Sequence, residues 1–331
     1  MKPNTINRPL GRRLFTFALA SMCLAVGFRA HAREGVSGDS INLLQIADIS
    51  GSRKALTNEM NAGALAYFKH VNSSGGVFGR KINLKTVDDG YVVDRTVLAA
   101  ENLIKADDAF VVMTPVGTAN TEKIMPLLSE ARIPLIAPLT GATSLRDPFN
   151  RYVFHVRAGY AREVESMVEH VHTLGIRKVA VFYDDDPFGQ DVLRSAREAL
   201  ARRNLTPVAI GKVERGSSDV AAASKAILAA KPQVVICGSF GKSLVEFVKE
   251  TRRTSAPPQV YALSFFTAGA AISQLGADAR GIAVTQVMPA PRGDALPLLR
   301  EFQSIMSKHA PKEPMSYISL EGFVTAKVIV E

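Results

Sequence analysis

The stretch from Phe110 to Asp147 restricts the fold more than any other. Phe110-Val-Val-Met113 is a short apolar run, followed by the loop Thr114-Pro-Val-Gly-Thr118. Ala119 to Ala131 has helical character, Ile133-Pro-Leu-Ile-Ala137 is a second apolar run, and Pro138 to Ser144 closes it. Two short strands separated by one helix predict a βαβ unit with parallel strands. Ligands of such sheets bind outside the carboxyl ends of the strands. Both ends here carry glycines, small hydroxyl side chains and free backbone N–H groups, a composition suited to holding a small anionic or polar group. One such loop alone reads as ordinary turn chemistry; two matching loops at successive strand ends point to a cleft.

The same alternation runs through the rest of the chain. Ile41–Ala47 reads as a strand, Asn58–Val71 as a helix, Lys81–Val87 as a strand and Arg95–Ala106 as a helix. The glycine cluster Ser73–Gly79 follows a helix and precedes a strand, the reverse of a dinucleotide loop, so it is a turn. Tyr152–Val156 is a strand with no helix directly after it, and it is expected to carry the chain into a second lobe. Beyond it come the helix Arg162–Leu174, the strand Lys178–Tyr183, the loop Asp184–Gly189 and the helix Asp191–Arg203. Pro207–Ile210 (strand), Asp219–Ala230 (helix), Val234–Cys237 (strand), Ser243–Arg253 (helix) and Val260–Leu263 (strand) complete a second doubly wound sheet, closed by the loop Ser264–Gly269. Ile282–Met288 reads as a strand, and the Pro/Gly stretch 289–293 suggests a return to the first lobe. Leu296–His309 and Ser316–Glu331 read as helices, the last with no closing cap, as expected of a truncated chain. The reading gives an export segment at 1–32, lobe 1 at 39–156, lobe 2 at 157–288 and a return to lobe 1 at 289–331.

Residues 1–32 have the build of a signal peptide cleaved near Ala32. Lys2, Arg8, Arg12 and Arg13 form a basic head, Leu14–Gly27 an apolar core too short to span a bilayer, and Ala30-His-Ala32 a small-residue cleavage site. Arg12-Arg13 also resembles a twin-arginine signal, although two adjacent arginines in a basic head suffice to explain it. Removing these residues and Arg29 lowers the formal charge from +9 to +4, and no basic cluster with interleaved aromatics remains for nucleic acid. Cys23 lies in the apolar core behind Met22, which does not suit a lipid-anchor site. That leaves Cys237 as the sole mature cysteine and no internal disulfide. The mature protein is expected to be periplasmic and monomeric.

Catalytic, metal and cofactor patterns are missing. There is no Gly-x-Ser-x-Gly elbow, phosphate loop or metal-binding histidine pair. Asp184-Asp185-Asp186 could be an acid cluster, but neighbouring loop residues point in different directions and no His or Cys is near, so a solvated loop with one residue on the cleft is expected. The histidines are scattered, and His155 on the crossover strand reads as structural.

On Asn72–Asp89, Gly117-Thr118, Pro134–Arg146, Val181–Gly189 and Val284–Pro289, in this order and spacing, the chain resembles the periplasmic solute-binding proteins of branched-chain amino acid ABC transporters. The resemblance runs from about Ile41 to Glu331. It implies an α/β fold of the type I periplasmic binding protein class: two doubly wound parallel-sheet lobes joined by three crossovers, with the ligand cleft between them. It also implies about fifty further residues after Glu331. The ligand carboxylate would be held by Gly117, Thr118, Leu139, Thr140 and Gly141, with Phe188 and Phe240 folding over it; read from the residues alone, Phe265 in the Ser264–Thr267 loop is either core or cleft lining. The family's amino-acid binders place a carboxylate after the Val260 strand to meet the ligand ammonium. Ser264-Phe-Phe-Thr267 stands there instead, so either Asp184, Asp185 or Asp186 substitutes, with Asp186 the candidate, or the ligand is an aliphatic or aromatic acid or an amide.

Three functions follow. The first is a non-enzymatic capture protein that takes a branched-chain amino acid or related acid or amide, closes by a hinge and docks on a membrane permease. The second is a periplasmic sensor of the same fold. The third, a nucleotide-dependent oxidoreductase, is disfavoured by the missing fingerprints.

Overall fold

The computed structural model describes residues 35–106, 109–267 and 269–331; the expected export signal lies outside them. Two five-stranded sheets, each wholly parallel, organise the chain. The first has the order β2-β1-β3-β4-β5 and the second β10-β9-β8-β6-β7. The first sheet is built from β1 (Ser40–Ala47), β2 (Lys81–Asp88), β3 (Val111–Met113), β4 (Leu135–Ile136) and β5 (Val153–Phe154). The second comprises β6 (Val179–Asp184), β7 (Ile210–Val213), β8 (Val234–Gly238), β9 (Gln259–Ala262) and β10 (Ala283–Val284). Central strands β3, β6 and β8 are buried at every residue. Helices cover both faces of such a sheet, which is why these strands read as continuous apolar runs rather than alternating ones.

The helices are α1 (Lys54–Ser73), α2 (Val93–Ala106), α3 (Thr118–Glu130), α4 (Tyr160–Thr173), α5 (Pro187–Ala201), α6 (Ala221–Ala229), α7 (Lys242–Arg252), α8 (Gly269–Leu275), α9 (Pro297–His309) and α10 (Tyr317–Val330). Helix α10 returns to the first lobe and crosses α1 backbone to backbone. A β-carbon on Gly63 would meet the carbonyl oxygen of Ser319 at 1.7 Å, and one on Gly322 would meet that of Met60 at 1.9 Å. Both positions must therefore be glycine. Ser316 starts α10 with a capping box, its hydroxyl accepting from the Ser319 N–H while Ser319 Oγ accepts from the Ser316 N–H.

Several strands are shorter or shifted relative to the sequence expectation. The Ile133–Ala137 run keeps only two ladder residues, because Pro134 has no N–H and Ala137 turns into the left-handed region at φ 50°. The strand expected at Pro207–Ile210 lies at Ile210–Val213 and enters the sheet only beyond its proline. The run Ile282–Met288 pairs over just Ala283–Val284 and then leaves the sheet. Two passages between the lobes are described, one after β5 and one after β10; the third expected crossover is not among the described residues.

Both passages meet at a buried polar post. Arg157, just past β5, pairs with Glu321 of α10 at 3.1 Å and donates to Ser264 Oγ at 2.8 Å. Glu163 of α4 accepts from the Ser264 N–H at 2.9 Å and from Thr285 Oγ1 at 2.6 Å. Arg157, Glu163 and Glu321 are all buried.

Candidate functional site

The first-lobe wall of the cleft forms at the ends of β3 and β4. Thr114 (φ 47°) and Ala137 (φ 50°) turn the backbone out of the sheet, and a parallel bridge pairs Val116 with Leu139. Gly117 (φ 94°) then places Thr118 at the start of α3. A β-carbon at Gly117 would stand 2.5 Å from the Tyr91 ring, so glycine is required there on both conformational and spatial grounds. Gly141 is equally confined, its missing β-carbon facing Tyr160 at 2.6 Å.

The hydroxyls of this wall form a directed chain with Tyr160 of α4, which belongs to the second lobe. Tyr160 Oη donates to Thr140 Oγ1 at 3.0 Å, and the Ala142 N–H donates to the same oxygen at 3.2 Å. With both its acceptor positions taken, Thr140 uses its own proton for Thr118 Oγ1, 2.8 Å away. The Thr118 proton is thereby left for the Tyr160 oxygen, which it also reaches, or for a solute, and Thr118 lines the cavity. Burial pushes the Tyr160 phenol up to about 12, so it remains a donor at physiological pH.

The second-lobe wall consists of rings. Tyr160 and Phe188 lie 5.1 Å apart, Tyr160 and Phe265 6.0 Å, Phe188 and Phe265 6.3 Å, and Phe240 and Phe265 6.1 Å, all edge to face. Phe188 sits in the first turn of α5 rather than in the loop expected from the sequence. Asp186 is the N-cap, accepting from the Gly189 N–H at 2.9 Å, and Pro187 occupies the first helical position. Phe265 lies on a single 3₁₀ turn after β9.

Between these walls is a cavity of about 30 Å³, lined by Gly117, Thr118, Leu139, Tyr160, Phe188, Phe240, Phe265 and four further residues, Arg53, Leu56, Tyr91 and Val116. That volume holds no more than about two or three waters, so a solute enters only when the lobes part or side chains move. Besides the Tyr160–Thr140 bond, a Tyr160 N–H to Gly141 carbonyl bond of 2.8 Å and the Arg53–Phe240 contact, two further polar contacts bridge the lobes near it. Arg215 Nη2 donates to Asn120 Oδ1 at 3.3 Å, and the Thr143 N–H donates to Asp191 Oδ2 at 3.0 Å. Larger hollows exist, one of about 440 Å³ between β1, β2 and α2, but none brings together the loops after β3 and β4 and the ring cluster.

Six of the nine residues singled out from the sequence line the cavity: Gly117, Thr118, Leu139, Phe188, Phe240 and Phe265. Thr140 stands one hydrogen bond behind Thr118, and Gly141 packs under Tyr160. Asp186 is placed elsewhere, capping α5 and pairing with Arg215 at 3.5 Å. The three aspartates do point three ways. Asp185 is exposed and pairs with Lys212 at 2.8 Å, while Asp184 is buried and accepts from Ser239 and Ser243 at 2.8 and 2.6 Å. Burial raises the carboxyl pKa of both Asp184 and Asp186. His155 hydrogen-bonds the Leu145 carbonyl, as a structural histidine does. Among the described residues no cluster of His, Cys, Asp and Glu is arranged to hold a metal ion.

Sequence reasoning missed Arg53, Leu56, Tyr91, Val116 and Tyr160, and of these Arg53 carries the charge. It immediately precedes α1 and is only 6% exposed. Asp48 holds it in place by accepting from its N–H at 2.6 Å, with the Ser50 N–H on the other oxygen at 3.2 Å. Its guanidinium lies over the Phe240 ring at 4.4 Å and the Tyr91 ring at 4.7 Å. The only local signal for Arg53 was an aspartate five residues ahead of it.

A model of the periplasmic binding protein family matches residues 40–331. The chain belongs to that family. Among solved periplasmic binding proteins, a possible leucine/isoleucine/valine-binding protein from Rhodopirellula baltica superposes with a TM-score of 0.83 and 28% identity, covering 90% of this chain and 81% of the other. A substrate-binding periplasmic protein from Ralstonia solanacearum gives 0.80 and 31%, covering 87% and 82%. Curated relatives include Leu/Ile/Val-binding protein homolog 3 of Brucella melitensis, 26% identical over 196 residues, which are 59% of this chain and 53% of that protein. An amino acid binding protein of Pseudomonas aeruginosa is 25% identical over 206 residues, 61% and 54% of the two chains. The match thus spans about half the length of these curated relatives. Two parallel-sheet lobes of five strands each are the type I architecture of the family.

Proposed function

We propose that this protein is the extracytoplasmic solute-binding subunit of an ABC importer. It captures an amino acid or a related small organic acid or amide between its lobes, closes by a hinge and presents the closed form to a membrane permease, without chemical change to the solute. The observation that carries this reading is the facing of two unlike walls. A pre-oriented Thr118 hydroxyl and the N-terminus of α3 stand opposite the ring cluster of Phe188, Phe240 and Phe265. The polar wall suits a carboxylate or amide head and the rings suit an apolar body.

The hinge would be the two described passages, with the Arg157–Glu321 pair and Glu163 as the post on which the lobes turn. Lobes of 39–156 and 157–288 with a return at 289–331 fit this arrangement, as do periplasmic location after export and a monomeric state. Its relatives, a Leu/Ile/Val-binding protein homolog and an amino acid binding protein, favour the same solute class.

The test is a thermal-shift screen against amino acids, amides and organic acids. A solute at 100 times its dissociation constant adds about 2.7 kcal/mol of stability. Thr118→Val is expected to reduce that stabilisation; equal stabilisation of the folded variant would count against this site.

A further inference from the structure

The cleft lining holds a cation and no anion; Asp184 and Asp186 feel its charge from behind the wall without touching it. Arg53 is buried, lines the cavity, and among the described residues has no carboxylate within 4 Å of its guanidinium, while no Asp or Glu lines the cavity. Its hydrogen bond is a 3.5 Å contact from Nη1 to the Phe240 carbonyl oxygen. A guanidinium has five N–H donors, so most of this one's capacity is unspent. Gly241 makes room for it: a β-carbon there would stand 2.6 Å from Nη1. Asp184 and Asp186 offset the burial of this cation only at a distance, and a carboxylate brought by the solute would meet it directly.

The surrounding field has the same sign. Helices α3, α5 and α7 all begin at the cleft, at Thr118, Pro187 and Lys242, and their positive ends face it. Asp186 offsets α5 but is itself committed to Arg215 and to the Gly189 N–H. Asp184 lies behind Ser239 and Ser243, off the cavity wall. An α-amino acid would place its ammonium in a site whose one lining charge is positive, and would recover little of its lost hydration.

We infer that the solute class is an organic carboxylate without an ammonium group, with an aliphatic or aromatic body, and that Arg53 is the residue that selects it. This rests on the reading of the cleft as a solute-capture site. The carboxylate takes charge-assisted bonds from Arg53 together with the Thr118 hydroxyl, and the body lies against Phe188, Phe240 and Phe265. Because Arg53 also touches the second lobe through Phe240, an anion bound to it ties closure to the charge of the solute.

The experiment uses matched probes that differ only at the charged end: 4-methylpentanoate against leucine, 3-phenylpropanoate against phenylalanine, and the carboxamides of both acids. Calorimetric affinity is read on the wild type, Arg53→Lys and Arg53→Gln. The acid is expected to bind about tenfold or more tightly than its amino acid and its amide, the effect of a hydrogen-bonded charge pair. Arg53→Gln should abolish that preference and Arg53→Lys should keep part of it. The comparison within the wild type needs no variant, so misfolding of Arg53→Gln cannot hide the answer. Amino acids binding as tightly as the acids would overturn the inference and leave the capture reading standing. So would an acid preference that persists in a folded Arg53→Gln, which would make Arg53 a latch between the lobes and no more. If no solute of either class binds at millimolar concentration, both the inference and the capture reading fail.

Discussion

The two walls of the cleft are built by different means. The first-lobe wall is backbone and hydroxyl chemistry, set by loops that leave β3 and β4 through left-handed turns at Thr114, Ala137 and Gly117. Its donors are fixed by a directed chain from Tyr160 through Thr140 to Thr118. The second-lobe wall is a cluster of rings in edge-to-face contact, which can re-pack but offers no charge. A polar end is thus read by rigid groups and an apolar body by adaptable ones. Arg53 stands at the seam, rooted in the first lobe and lying over a ring of the second.

The comparison breaks most completely where both walls share a support. Replacing Arg157 by Met leaves Glu321 and Glu163 buried without their cation, and is expected to cost about 3–5 kcal/mol of folding stability. Urea unfolding measures it, and a loss within experimental error would show that the post is not what holds the lobes. Next in size are two substitutions that separate the walls. Thr118→Val should weaken a carboxylate ligand by about 1–3 kcal/mol and barely alter any solute that lacks a polar head. Phe240→Ala removes half-buried ring surface and should weaken acids and amides alike, by about 1–3 kcal/mol. Calorimetry on one acid and its amide distinguishes them; identical selectivity profiles for the two variants would mean that the walls do not divide the work.

Smaller still is a pH effect on the second lobe. Burial raises the Asp184 pKa, and its Oδ2 has no hydrogen-bond partner. A carboxyl whose folded pKa is raised stabilises the fold fully below its ordinary value of 3.8 and loses that contribution as pH climbs through the raised value. Asp184→Asn should therefore gain stability relative to the wild type between pH 4 and 8, as melting temperatures across that range would record. Parallel curves for the two proteins would contradict it.

Much of the first wall was legible in the sequence. β-Branched runs ending in Gly and Thr define both strands and loops, since local propensity and the sheet agree there. The ring wall was readable only in part. Phe188 came from the resemblance, and its helical placement could have been derived from Asp186-Pro187, an N-cap followed by a proline at the first helical position. The same rule moves Asp186 from the cleft to the cap, where the structure puts it. Arg53 was hidden because Ser50-Gly-Ser-Arg53 reads as an ordinary turn. Its burial depends on Tyr91 and on Phe240, which is 187 residues away in sequence. The Arg157, Glu163 and Glu321 post escaped for the same reason, being assembled from three elements that only the folded topology brings together.

The central claim is that the lobes close on a solute, and an inter-lobe distance tests it most directly. Ser52 and Lys242 are exposed and lie on opposite lobes beside the Arg53–Phe240 contact, while the native Cys237 is buried and does not compete for label. Spin labels at Ser52→Cys and Lys242→Cys should report a broad distribution without solute and a single shorter distance with a stabilising carboxylate. An unchanged distribution with a compound that raises the melting temperature would contradict closure as the mode of capture.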